Sequence, residues 1–244
     1  MIQVNSLCKQ FAGAPAVRDL SFRVRPGEVL GFLGPNGAGK TTTMKCVMGM
    51  LNPTSGRALV GELDPQEEPV RVKHSVGWLP DVPFLYDHLT PEETLAFVGG
   101  IYGLSRERIA ERSTELFAEL DLTGRTTELV AGLSRGARKK VALAMALMHR
   151  PRVLLLDEPT AGLDPQSVRL LKDRIRQEAA SGAAVMLSSH QLEVVEELAT
   201  HLLVLSRGQS VLQAPMGEAM ARARERGQTL EGMFLELTGW RSAP

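Results

Sequence analysis

The sequence predicts an α/β fold built on a mainly parallel sheet. Three observations support this class: apolar runs without alternation, helical patterns between those runs, and a glycine-rich loop that joins one run to a helix. Apolar runs of this kind are typical of strands that are buried on both faces. Strands that alternate with helices along a chain favour a parallel sheet. The clearest runs are residues 28–34, 153–156, 183–187 and 202–205.

The composition is that of a globular chain. Its 244 residues include 28 basic and 28 acidic side chains, and 43% of the residues are hydrophobic. Disordered chains lack apolar residues, so this composition argues against disorder. Nucleic-acid binders usually carry a basic excess, so no nucleic-acid partner is expected. No apolar segment reaches the roughly 20 residues of a membrane span, and the first residues do not resemble a signal peptide. We therefore expect a soluble, cytoplasmic protein with Cys8 and Cys46 as buried, reduced thiols.

The beginning of the chain predicts an N-terminal antiparallel β lobe. Short strands at residues 2–4 and 20–24 are separated by turn residues around Gly13. A strand at residues 28–34 then leads through glycines into a helix that ends near Gly49. The first part of the sequence thus predicts a β lobe followed by a strand–loop–helix unit.

The pattern changes to helix between residues 83 and 150. Thr90 and Glu93 have the spacing of a capping box, which predicts a helix start. A second helix is predicted at about residues 106–120, and a third begins at Ser134. These helices predict an inserted helical lobe.

The last part of the chain returns to strands and ends in helices. Arg207 and Gly208 predict a hairpin turn, and Gly227 separates two helices in the tail. We therefore predict a single domain over residues 1–244. Its parts are a β lobe with the loop-bearing core (1–82 and 151–215), a helical lobe (83–150) and a C-terminal helical tail (216–244).

The glycine-rich loop fits the pattern G-x-x-x-x-G-K-[ST]. Glycines allow main-chain N–H groups to converge on phosphates, Lys40 adds a positive charge, and the Thr41 hydroxyl is a ligand type for Mg²⁺. The alternative is a merely flexible loop, but the position between a strand and a helix favours a nucleotide site. The predicted nucleotide-binding residues of this loop are Gly34, Asn36, Gly37, Ala38, Gly39, Lys40 and Thr41.

Two carboxylates follow the apolar run 153–156. Asp157 is predicted to hold Mg²⁺, with a helix-capping role as the alternative. Glu158 is predicted to orient or deprotonate an attacking water, because a carboxylate beside the metal ligand suggests hydrolysis rather than nucleotide storage.

Together these residues resemble the ATP-binding-cassette (ABC) ATPases over nearly the whole chain. Residues 34–41 resemble Walker A and residues 156–160 resemble Walker B, while residues 161–165 are similar to the D-loop. The resemblance implies a P-loop NTPase core of the ABC type that binds ATP and Mg²⁺. It also implies that Phe11 stacks on adenine, that Thr42 lies near the α-phosphate, and that His190 contacts the γ-phosphate. A structural role is the alternative for His190.

Two segments resemble family motifs with departures. Residues 133–137 resemble the ABC signature, in which Ser134 and Gly136 would contact the nucleotide of a second subunit, although Arg135 replaces a glycine. Ser134 is also a suitable helix N-cap, and such helix ends bind anions. Asp81 stands where the family has the Q-loop glutamine, so it is either a ligand of Mg²⁺ or a loop-capping residue.

The resemblance also implies partners. Residues 83–89 are unusually apolar for a loop, and the corresponding region in related transporters receives a helix of the membrane subunit. Packing of Phe84 and Tyr86 within the helical lobe is the alternative. Residues 78–86 and 230–239 are similar to the drug and polysaccharide exporter branch. This similarity implies a polytopic permease, a homodimer or a pair with a related ATPase, and a position on the inner face of the membrane.

Two other functions remain open at the level of the sequence. A soluble ABC ATPase that acts on nucleic acid or ribosomes is one, but such proteins usually carry a second cassette or long insertions, which this sequence does not show. A small-molecule kinase with the same phosphate loop is the other, and Glu158 and the signature disfavour it.

Overall fold

The computed structural model describes residues 1–239, and it confirms the α/β class. The predicted strands at residues 28–34, 153–156, 183–187 and 202–205 all form, with bounds that differ by a few residues. In chain order the described strands are β1 (Ile2–Phe11), β2 (Ala14–Val24), β3 (Val29–Leu33), β4 (Ser55–Val60), β5 (Val76–Leu79), β6 (Val153–Asp157), β7 (Ala184–Ser189), β8 (His201–Ser206) and β9 (Gln209–Pro215).

The strands form two sheets. The larger sheet has the order β5-β6-β7-β3-β8-β9, and all of its neighbours run parallel except the predicted hairpin of β8 and β9. The smaller sheet has the order β2-β1-β4 and is antiparallel. The mainly parallel sheet and the N-terminal antiparallel sheet are therefore confirmed.

The first two strands are longer than the sequence predicts. They extend to Phe11 and begin again at Ala14, beyond the predicted residues 2–4 and 20–24. The pairing of β1 with β2 shifts register between Val4 and Leu7, where Ser6 has a φ of 44°. A bulge of this kind interrupts the alternation of apolar and polar residues, which is why the pattern hid the full length of the strands.

Several helices begin at side-chain caps. Thr90 and Glu93 form both hydrogen bonds of the capping box, Ser134 caps the third predicted helix, and Asp164 caps the helix after β6. The described helices are α1 (Lys40–Val47), α2 (Pro69–Ser75), α3 (Pro91–Ile101), α4 (Arg106–Glu119), α5 (Arg135–Leu147), α6 (Pro165–Ala180), α7 (Leu192–Leu198), α8 (Met216–Glu225) and α9 (Leu230–Thr238).

Both faces of the larger sheet are covered by apolar side chains. Leu154 and Leu156 of β6 join a cluster with α3, α4, α5 and α6, whereas Val153 and Leu155 join a cluster with the smaller sheet and α1. A third cluster packs α8 and α9 beside β8 and β9. This burial explains why the strands of the larger sheet read as continuous apolar runs.

The tail forms the two predicted helices, α8 and α9, on either side of Gly227. Residues 240–244 of the predicted tail lie outside the described residues. Within residues 1–239, none of the helices combines the length and apolar character needed to cross a bilayer.

Candidate functional site

Three neighbouring strands bring several of the predicted site residues together at the edge of the larger sheet that is formed by the carboxyl ends of its strands. Strand β7 lies between β6 and β3, and these three strands run parallel. The loop 34–39 follows β3, Asp157 ends β6 opposite Ser188, and His190 follows β7. Ligands of open α/β sheets bind outside the carboxyl ends of the strands, which is where these residues meet.

Two glycines of the loop are required by close backbone approach. A Cβ atom on Gly34 would lie 2.5 Å from the carbonyl oxygen of Leu205. A Cβ atom on Gly39 would lie 2.4 Å from the carbonyl oxygen of Ala16, and Gly39 also has a φ of 108°. The loop therefore wraps tightly enough to exclude any side chain at both positions.

Lys40 begins α1 and is almost fully buried. Its Nζ donates hydrogen bonds to the carbonyl oxygens of Gly34 at 2.6 Å and Pro35 at 3.3 Å. Burial lowers the pKa of Lys40, and the nearby carboxylates of Glu158 and Asp157 oppose this shift. The ammonium group is thus held beside the loop, where a charge can meet phosphate oxygens.

Asp157 is buried and held between two hydroxyl groups. The Thr41 hydroxyl donates to Asp157 Oδ2 at 2.6 Å, and the Ser188 hydroxyl donates to Asp157 Oδ1. Hydroxyl and carboxylate oxygens are the ligands of Mg²⁺, which is usually held by one or two protein oxygens together with substrate phosphates. Within residues 1–239 no group of three or more His, Cys, Asp or Glu residues could hold a metal ion by itself. Thr41 and Asp157 supply the hydroxyl and carboxylate oxygens that could hold Mg²⁺ together with nucleotide phosphates.

Glu158 has an unusual backbone and a well-positioned side chain. Its φ is 48°, a left-handed conformation that is strained for any residue with a Cβ atom. Its N–H donates to the carbonyl oxygen and the hydroxyl of Ser188, at 3.1 and 3.2 Å. Its Oε2 lies 2.7 Å from Nδ1 of His190 and accepts the His190 main-chain N–H at 3.2 Å. The two predicted catalytic side chains therefore contact each other.

A cavity of about 200 Å³ lies at this edge and collects most of the predicted residues. Gly34 and Ala38 do not line it; the Ala38 main-chain N–H donates to Pro35, and its carbonyl oxygen accepts from Gly208. The lining residues are Ala16, Asn36, Gly37, Gly39, Lys40, Thr41, Thr42, Asp81, Asp157 and Glu158.

Phe11, Ser134 and Gly136 lie outside this cavity. Phe11 ends β1, and 45% of it is exposed, with Lys9 Nζ 5.0 Å from the centre of its ring. Ser134 is exposed and accepts a hydrogen bond from the main-chain N–H of Ala137 at 3.2 Å, so it caps α5 as predicted. Ser134 therefore forms the expected N-cap, and neither Ser134 nor Gly136 lines the cavity at the phosphate loop of its own chain.

Lys139 is a buried residue of this region that the sequence did not indicate. It donates to the carbonyl oxygens of Glu158 and of Ala161, and its Nζ lies 3.7 Å from Asp81 Oδ1. Burial lowers the pKa of Lys139, an effect that the Asp81 carboxylate opposes. One sequence signal could have found it, because Lys139 shares a helix face with Ala142 and Ala146 at apolar spacing.

The phosphate loop between a central strand and a helix, facing a strand-end aspartate and a glutamate, defines a P-loop NTPase. A family model described as "ABC transporter" matches residues 17–161 of the chain. The chain therefore belongs to the ABC transporter family, as an ATP-binding subunit with ATPase activity.

Individual relatives agree with this assignment. The chain is 34% identical to the linearmycin resistance ATP-binding protein LnrL of Bacillus subtilis (strain 168), over 86% of this chain and 68% of that protein. It is 35% identical to the ABC transporter ATP-binding protein NatA of the same organism, over 90% of this chain and 89% of NatA. A solved ATP-binding subunit of an ABC transporter superposes with a TM-score of 0.91 at 29% identity, over 98% and 99% of the two chains.

Proposed function

We propose that this chain is the ATP-hydrolysing subunit of an exporter, in which two copies, or one copy and a related ATPase, close around ATP to drive a membrane permease. The observation that supports pairing is the separation of two phosphate-binding features within one chain. The loop at residues 34–41 lines the cavity, whereas Ser134 at the start of α5 is exposed and lies outside it. A second cassette, placed head to tail, would bring its Ser134 and Gly136 to the nucleotide.

The cavity residues suit the separate tasks of ATP hydrolysis. The loop and Lys40 would hold the phosphates, while Thr41 and Asp157 would hold Mg²⁺. When bound, Mg²⁺ neutralises the charge that develops on the phosphate oxygens. Glu158 would accept the proton of the attacking water, and its contact with His190 would orient that carboxylate.

Phe11 and Thr42 would complete the nucleotide site. Phe11 is exposed at the end of β1, so its ring is available to stack on adenine. Thr42 lines the cavity beside the phosphate-binding residues, which suits a contact to the α-phosphate. We expect His190, which is exposed next to Glu158, to reach the γ-phosphate when the two copies close.

The exporter assignment is supported by what several relatives are named for. The chain is 36% identical to the Nod factor export ATP-binding protein I of Cupriavidus metallidurans, over 87% of this chain and 70% of that protein. LnrL is named for linearmycin resistance. We infer export of a molecule out of the cell, with this chain on the cytoplasmic face of the membrane.

An exposed aromatic cluster in the helical lobe is the proposed docking surface for the permease. Phe84, Tyr86 and Phe97 are 80%, 52% and 49% exposed, and their rings meet edge to face at centroid distances of 5.6 and 5.9 Å. Contiguous exposed apolar groups mark interaction surfaces. A short amphipathic helix of the membrane subunit is the partner that an aromatic surface of this kind would receive.

The variant Glu158→Gln with ATP tests this function. Loss of a general base slows turnover by about 10² to 10⁴-fold, so ATP would persist and the closed dimer would accumulate. Light scattering should then show a dimer with ATP and a monomer without nucleotide. Glu158→Gln/Ser134→Arg is the matched control, because a bulky side chain at Ser134 would block the second copy. A monomer that retains turnover would overturn both the catalytic role and the sandwich, and a monomer without turnover would overturn the sandwich alone.

A further inference from the structure

Lys139 is the buried cation closest to the hydrolytic residues that the proposed mechanism does not use. Only 3% of it is exposed, although it stands between two other basic residues in α5. Its ammonium group donates hydrogen bonds to the carbonyl oxygens of Glu158 and Ala161, and a carboxylate oxygen of Asp81 lies 3.7 Å away as an ion-pair partner. A buried ammonium is stable only where hydrogen bonds and an opposite charge compensate it, and these three groups supply both.

These contacts fix the main chain of Glu158 from both sides. Its N–H donates to Ser188, and its carbonyl oxygen accepts from Lys139 and from the main-chain N–H of Ala161 at 3.2 Å. The residue is held in the left-handed region, where a non-glycine residue stays only if its surroundings stabilise it. The backbone conformation sets the direction in which the Glu158 side chain leaves the main chain, and Lys139 is one of the groups that contact this backbone.

Asp81 is placed to balance the charge of Lys139. It lies in the loop after β5, it lines the cavity, and its Oδ1 lies 3.7 Å from Lys139 Nζ. The two predicted Mg²⁺ ligands Thr41 and Asp157 contact each other, because the Thr41 hydroxyl donates a hydrogen bond to Asp157 Oδ2 at 2.6 Å. Since a carboxylate beside a buried ammonium stabilises it, the geometry gives Asp81 a role that needs no metal.

We propose that Lys139 is the positioning residue for Glu158 and that Asp81 is its counter-ion rather than a ligand of Mg²⁺. Lys139 acts through the main-chain carbonyls of Glu158 and Ala161, and Asp81 keeps the ammonium group directed at them. This inference rests on the proposed role of Glu158 as the base.

The test compares ATP turnover in four variants, Lys139→Met, Lys139→Arg, Asp81→Asn and the double variant Lys139→Met/Asp81→Asn. A displaced base costs up to about 10²-fold, so Lys139→Met should lower kcat at least tenfold and change KM for ATP by less than about threefold. Lys139→Arg keeps a buried cation and should retain most of kcat. Asp81→Asn should lower kcat in the parent chain but have no further effect beside Lys139→Met, because the pair is then already broken.

The matched control is Lys140→Met, the next lysine of the same helix, which pairs with Asp121 at 3.5 Å instead. An equal kcat in Lys139→Met and Lys140→Met would overturn the positioning role. The concentration of Mg²⁺ that gives half-maximal turnover should be unchanged in Asp81→Asn. A several-fold increase of this Mg²⁺ concentration, when Asp81→Asn is introduced into the parent chain and into Lys139→Met, would indicate that Asp81 is a metal ligand. That result would overturn the counter-ion assignment.

Two further measurements keep the outcome decisive. If circular dichroism shows that Lys139→Met does not fold, Asp81→Asn decides: a lower kcat with an unchanged Mg²⁺ requirement supports the pair, and any other result contradicts it. Glu158→Gln is measured in the same assay. If Glu158→Gln retained turnover, Glu158 would not be the base, and the proposed function would be overturned with it. If Glu158→Gln lost turnover while Lys139→Met kept its kcat, only the positioning role of Lys139 would be overturned.

Discussion

The surroundings of the His149 ring favour its neutral form. Its ring stacks on Tyr102 at 3.7 Å between centroids, and its Nε2 lies 3.2 Å from the carbonyl oxygen of Val76. Nε2 is therefore the donor, and Nδ1 is buried without a hydrogen-bond partner. A proton on Nδ1 would create a second, unsatisfied N–H group.

The pH dependence of stability should report this neutral histidine. Burial, and to a lesser degree His74, lowers the pKa of His149 from 6.5 to about 4 in the folded chain. The unfolded chain takes up the proton first as the pH falls, so the free energy of unfolding should decrease between about pH 6.5 and 4. Urea unfolding should show a weaker pH dependence in His149→Gln over this interval. The control His88→Gln removes an exposed histidine, and an identical slope in both variants would contradict the prediction.

At the scale of an element, the capping box of α3 should contribute measurably to stability. Thr90 Oγ1 accepts from the main-chain N–H of Glu93 at 3.2 Å, and Glu93 Oε2 accepts from that of Thr90 at 2.8 Å. Thr90→Ala should therefore lower the free energy of unfolding by about 1 kcal/mol, measured with urea. Thr114→Ala is the matched control, because this exposed threonine lies within α4, where alanine favours the helix. Equal destabilisation by both variants would contradict the role of the cap.

Elements with local chemical signals were predictable, and long-range contacts were not. The loop at residues 34–41 and the cap at Thr90 each follow from a few neighbouring residues. The helices α2 and α7 and the strands β4 and β5 were missed, because each has only four to seven residues and so shows little periodicity. The contact of Lys139 with Asp81 joins residues far apart in the chain, and the basic run around Lys139 looks like a solvated helix face. Tertiary packing alone makes this lysine part of the site.

At the scale of the whole molecule, polar contacts connect the helical lobe to the sheet at two levels. Near the carboxyl ends of the strands, Lys139 of α5 contacts the backbone around Glu158. Near the start of β6 and β7, Arg174 of α6 pairs with Glu119 of α4 at 2.6 Å. Because α5 also begins at the Ser134 cap, the contacts of Lys139 link the signature helix to the backbone around Glu158. In the proposed assembly, one surface of the lobe would face a second cassette and the aromatic cluster would receive the permease.

The last prediction concerns that aromatic cluster. Phe84 is 80% exposed, so its truncation should leave the fold and the ATP turnover of the isolated chain unchanged. Aromatic residues at the centre of an interface often contribute 2 kcal/mol or more, so Phe84→Ala should weaken binding to the permease by at least about tenfold. The measurement is co-purification with a co-expressed polytopic permease encoded in the same gene cluster. Val70→Ala, which removes another exposed apolar side chain, in α2, is the control and should bind normally. Equal binding of both variants would contradict docking at the aromatic cluster. A gene cluster that encodes no permease would contradict the proposed partner itself.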